Sequence, residues 1–219
     1  MRSRISKTAT LFALALAGMN AGVAAAQDAP GPKVTDPHFQ LAAGYIPPKE
    51  LPDSLELLGP PPAKGSAALA RDEEARAATI PLRGKARAGL ARLDADLQFP
   101  QPAANFSCAM GIDISETTTP RLFVLMQRVL TDAGLSTYGV KNTYNRTRPF
   151  VVHNEGTCFA EQEPLLRNDG SYPSGHTAAG WAWALVLAEL NPERTNALLR
   201  RGLESVSYTH LTLPTILLV

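Results

Sequence analysis

The 219-residue chain sets 21 lysines and arginines against 20 aspartates and glutamates, for a net charge of +1, and 45% of its residues are hydrophobic. That balance excludes the basic footprint of a nucleic-acid binder and the positive field of a protein that adheres to anionic bilayers. The length suits one domain with a substantial core, acting on a small soluble partner.

Arg2, Arg4 and Lys7 precede a small, apolar stretch from Ala9 to Val23, and Ala24-Ala-Ala26 offers a small-x-small site before Gln27. This is the pattern of an export signal, so residues 1–26 are expected to be removed after Ala26. The apolar part is shorter than the ~20 residues of a spanning helix, so no membrane attachment is expected after cleavage. Residues 27–65 hold nine of the eighteen prolines and no sustained hydrophobic period, which predicts an extended segment wrapping the domain surface.

Helical signals begin at Ser66, a capping residue ahead of an Ala-, Leu-, Arg- and Glu-rich run, and continue from Arg83 to Leu97 with Leu90, Leu93 and Leu97 at helical intervals. Thr119-Pro120 is a further start signal. Leu122, Met126, Val129, Leu130 and Ala133 then predict one buried face, with Gly134 closing the helix.

Lys141-Asn-Thr-Tyr-Asn-Arg-Thr-Arg148-Pro149 follows. Seven residues are close to two helical turns, so Lys141 and Arg148 are expected on one face, roughly 10 Å apart along the axis, with Pro149 ending the helix. A planar guanidinium beside a point-charge ammonium suits phosphate oxygens. Gly170-Ser-Tyr-Pro-Ser-Gly-His176 then turns into the apolar run Thr177 to Leu190. Such a turn presents helix N-terminal N–H groups, the Ser174 hydroxyl, the close backbone approach that Gly175 allows, and the His176 imidazole. It suits an anion, phosphate above all.

Strand alternation is nearly absent, so the domain reads as all-α, a single helical bundle over residues 66–204. Cys108 and Cys158 are expected to pair in an oxidising compartment, closing a loop worth ~4 kcal/mol in the loop-entropy model. His38, His153, His176 and His210 are scattered without ligand spacing, so neither a metal nor another cofactor is expected. His153 reads as a surface or packing residue.

Lys-x6-Arg-Pro followed by Pro-Ser-Gly-His resembles the first two of three signature motifs of the type-2 phosphatidic acid phosphatase superfamily, and within it the class A bacterial non-specific acid phosphatases. Tyr45-Ile-Pro-Pro, the Pro60-Pro-Pro62 run, Thr131-Asp-Ala-Gly134 and Ala184 to Pro192 agree with that resemblance. It implies a periplasmic acid phosphatase that hydrolyses small phosphomonoesters without metal. Lys141, Arg148, Ser174 and Gly175 would bind phosphate, and His176 would protonate the leaving alcohol. The nucleophile would be a second histidine, which becomes phosphorylated. A homo-oligomer is left open.

The third motif, Ser-Arg-x5-His-x3-Asp, is not found after Glu204. Residues 205–219 carry no charge, hold His210 with no Asp at the required spacing, and end in Ile216-Leu-Leu-Val219. We expect this tail to be foreign to the domain and the chain as written to be truncated and catalytically inactive. The alternatives are a non-catalytic phosphate- or vanadate-binding protein and a vanadium haloperoxidase-like enzyme.

Overall fold

The computed structural model describes the backbone of residues 34–35 and 40–212 and the side chains of 41–207. The expected export signal, His38 and residues 213–219 lie outside the described residues. A two-residue antiparallel bridge joins β1 (Val34–Thr35) to β2 (Gln40–Leu41). The helices that follow are α1 (Ser54–Leu57), α2 (Ala67–Thr79), α3 (Ala86–Ala95), α4 (Gln101–Met110) and α5 (Pro120–Ser136). After them come α6 (Tyr138–Tyr144), α7 (Pro149–Val152), α8 (Glu163–Leu166), α9 (Gly175–Leu190) and α10 (Thr195–Thr212). The fold is therefore the expected all-α one. None of the described helices is long and apolar enough to cross a membrane.

Local chemistry sets most helix starts. The Ser66 hydroxyl accepts from the Leu69 N–H at 3.1 Å, capping α2. Thr119 precedes α5 with Pro120 at its first position, where a missing N–H costs nothing. Two expectations need correction. The helix read from Arg83 to Leu97 is only α3, because Gly84 takes a left-handed φ of 83° and Asp96 is extended. And α5 runs through Gly134 to Ser136. It buries Phe123, Met126, Leu130 and Thr131, while Leu122 and Val129 sit at the edge of that face, so the buried stripe is turned from the one expected.

Helix α9 is apolar around most of its circumference because it is covered on both sides, by α5 and by α10. Trp183 is its anchor. Its indole N–H donates to the Met126 carbonyl at 2.8 Å, and Phe99 and Phe106 meet it edge-on at 6.2 and 6.0 Å. On the other side the α9 and α10 backbones approach closely: a Cβ on Gly180 would stand 2.6 Å from the Ser205 hydroxyl, and one on Gly202 would overlap Ala184. Buried Ser205 and Val206 belong to this packing. Arg201 of α10 donates to the Asp94 carboxylate and, at 2.9 Å, to the Asn105 carbonyl, tying α10 to α3 and α4.

The segment after β2 is clipped onto α5. The Tyr45 and Ile46 N–H groups donate to the Asp132 carboxylate at 3.0 and 3.3 Å, and the Thr131 hydroxyl donates to the Ala42 carbonyl at 2.6 Å. The Arg128 guanidinium lies over the Tyr45 ring at 3.8 Å. Leu41, at the start of this strap, packs into the core. The expected disulfide is absent. Cys108 is exposed on α4, whereas Cys158 packs on Ala91 and Leu82, so the two sulfurs face different surroundings and are not bonded to one another.

Candidate active site

Lys141 and Arg148 do not share a helix face. Helix α6 ends at Tyr144, because Asn145 takes a left-handed conformation (φ 36°) and returns its N–H to the Lys141 carbonyl. Residues 145–148 leave the helix. Arg148 is the extended residue before α7, so Pro149 opens a helix rather than closing one. The two cations meet across this break because the loop 169–173 folds over both.

That loop is held by the cations themselves. Lys141 Nζ donates to the carbonyls of Gly170 (2.8 Å) and Pro173 (2.9 Å). Arg148 Nε donates to the Asp169 carbonyl at 2.9 Å, and its Nη2 to the Asp169 carboxylate at 2.5 Å. The ammonium stands 3.9 Å from the same carboxylate oxygen. Gly170 is required at this crossing, since a Cβ there would stand 2.9 Å from the Lys141 carbonyl. The Ser171 N–H donates to the Arg146 carbonyl at 2.8 Å, and the Tyr172–Pro173 bond is cis. The chain then enters α9 at Ser174, whose hydroxyl accepts from the Thr177 N–H at 3.2 Å, so the serine is a helix cap as well as a wall of the site.

His176, in the first turn of α9, is buried with Nε2 3.0 Å from the Ala95 carbonyl. A carbonyl only accepts, so Nε2 carries the proton and the open lone pair of the neutral ring is on Nδ1. Burial pushes the His176 pKa down to about 4; the Ala95 carbonyl opposes this, and the nearby Arg148 and Lys141 cations add to it. Burial likewise pushes the Lys141 pKa down to about 8, against the attraction of Asp169. Arg148 is lowered for the same reason.

Lys141, Arg148, Ser174, Gly175 and His176 all line one cavity of about 60 Å³, walled on its apolar side by Leu97, Leu130 and Leu135. It holds two cations against the single Asp169 carboxylate. Asp169 was not singled out in the sequence. The available signal was an acid directly before the Gly170 turn, between two cationic motifs. His153 is elsewhere, with Nε2 2.9 Å from the Glu73 carboxylate. Cys108 and Cys158 do not line the cavity. Among the described residues, no three histidines, cysteines or acids gather as a metal site.

Comparison with known proteins gives a consistent grouping. The model of the PAP2 superfamily matches residues 122–219. The non-specific acid phosphatase of Providencia stuartii is 42% identical over 161 residues, covering 73% of this chain and 65% of that protein. That of Salmonella typhimurium is 42% identical over 158 residues, covering 72% and 63%. The acid phosphatase of Zymomonas mobilis is 39% identical over 150 residues, covering 68% and 57%. The chain thus spans somewhat under two thirds of the length of these relatives.

Proposed function

Because the chain belongs to the PAP2 superfamily, we propose that its buried cavity binds the phosphoryl group of small phosphomonoesters and that the protein is an acid phosphatase of the periplasm, exported by cleavage after Ala26. The observation that carries this reading is the convergence of Lys141, Arg148, Ser174, Gly175 and His176 on one cavity with surplus positive charge. A dianion entering there meets a guanidinium, an ammonium and the N-terminal end of α9, all in place before it arrives. No metal is needed to neutralise the charge that develops during transfer.

His176 is the proton donor in this reading. With Nε2 committed to Ala95, the proton for the leaving oxygen departs from Nδ1 of the imidazolium. The phosphohistidine route needs a second imidazole as nucleophile, and among the described histidines only His176 lines the cavity. That observation favours one competing reading, phosphate binding without turnover. Calorimetry with orthophosphate and turnover of an aryl phosphate separate the two. Arg148→Ala should weaken orthophosphate binding about a hundredfold, as expected for a charge-assisted contact out of water. Wild-type protein that binds no orthophosphate would sink both readings, and binding with no turnover selects the second.

A further inference from the structure

A second cavity, of about 200 Å³, opens beside the cradle and shares Tyr138, Leu166 and Asp169 with it. Resting on the phosphate reading above, we infer that this cavity receives the leaving group, and that it selects uncharged aromatic leaving groups bearing hydrogen-bond donors over those carrying a second anionic group. Its walls decide the chemistry. Phe159 and Tyr138 supply aromatic surface, while Asp96, Glu161 and Asp169 supply carboxylates, and no lysine or arginine lines it. Gln162 adds an amide whose Oε1 is buried without a hydrogen-bond partner among the described residues, an acceptor awaiting a donor.

The position agrees with the proton donor. The His176 ring bonds the Ala95 carbonyl, and the next residue, Asp96, lines the second cavity, with its carboxylate fixed by the Gln98 N–H at 2.9 Å. Arg92 stacks on Phe159 at 4.8 Å and grips Glu161 through two hydrogen bonds of 2.6 and 3.0 Å, holding this wall in place. A larger cavity of about 360 Å³ on the other side of the turn meets the cradle only at Ser174, whose hydroxyl caps α9. It offers the leaving group no shared wall with the two cations.

Calorimetric titration of the full chain with phosphonates, which cannot be hydrolysed, tests the inference whether or not the chain turns over. Methylphosphonate probes the cradle alone; para-carbamoylbenzylphosphonate and para-carboxybenzylphosphonate extend into the second cavity and differ by one charge. The carbamoyl ligand should bind about tenfold more tightly than the carboxy ligand, the size of one charge contact at moderate effective dielectric, and about tenfold more tightly than methylphosphonate, through the aromatic and hydrogen-bond contacts it adds. Asp96→Asn, which can still accept from Gln98, should narrow the gap between the two benzyl ligands to about threefold. Equal affinity of the wild type for the two benzyl ligands, or no gain of the carbamoyl ligand over methylphosphonate, overturns the inference; this comparison decides even if the variant fails to fold. Failure of methylphosphonate to bind at all would overturn the phosphate reading, and this inference with it.

Discussion

Lys141, Arg148 and His176, which line the cavity, are in electrostatic conflict with their burial. His176 has its pKa lowered to about 4 from an ordinary 6.5, so between those values the unfolded chain binds more protons than the folded one. Stability therefore rises with pH across that window, and falls by on the order of 3 kcal/mol as pH drops through it. Lys141, lowered to about 8, is charged at neutral pH at the cost of burial. A bound dianion favours the protonated form of both. We accordingly expect the melting temperature of the ligand-free protein to fall as pH is lowered from about 7 to 4, and orthophosphate to offset that fall. An unchanged melting temperature across this range would count against the assignment. Orthophosphate affinity should also weaken above about pH 8, where the Lys141 proton is lost. Asp169 adds a separate effect, since its carboxylate occupies the Arg148 guanidinium that phosphate would take. Asp169→Asn should lower ligand-free stability yet tighten orthophosphate binding roughly tenfold by calorimetry; weaker binding would show that the carboxylate assists the ligand instead.

At the level of elements, the sequence exposed what is carried by single residues with a dedicated local role. Ser66 capping α2, Thr119-Pro120 opening α5 and Ser174 starting α9 were all legible, because each satisfies backbone groups within its own turn. The separation of α6 from α7 was not. It depends on Asn145 entering the left-handed region, and the reward for that, two cations converging on a loop 29 residues beyond Lys141 and 21 beyond Arg148, is invisible locally. The small residues of α9 and α10 were equally silent, since Gly180 and Gly202 earn their place through tertiary approach. Gly180→Val should therefore destabilise the fold by about 2 kcal/mol or more by wedging α10 outward, measured by urea unfolding; a change under 0.5 kcal/mol, the range of an ordinary surface substitution, would contradict the packing.

For the whole molecule, the described start of the proline-rich segment is fastened to α5 by a specific device. Asp132 receives two backbone N–H groups of the strap, whose Leu41 lines the cradle. Asp132→Ala should free the strap, costing about 1–2 kcal/mol and exposing residues 41–46 to limited proteolysis; an unchanged cleavage rate would show that core packing of Leu41 alone retains it. The pairing of Cys108 with Cys158 failed as an expectation because compartment chemistry says nothing of where two sulfurs lie. The hydrogen bonds from Lys141 carry a further consequence, in chain entropy. By reaching Pro173, 32 residues on, one ammonium closes a loop whose ends would otherwise drift apart, against a length-dependent cost of ~3 kcal/mol. The atom that attracts the ligand is thus also one of the fastenings of its surroundings, beside Arg148 on Asp169, so that truncating the Lys141 side chain would loosen the loop as well as discharge the cradle.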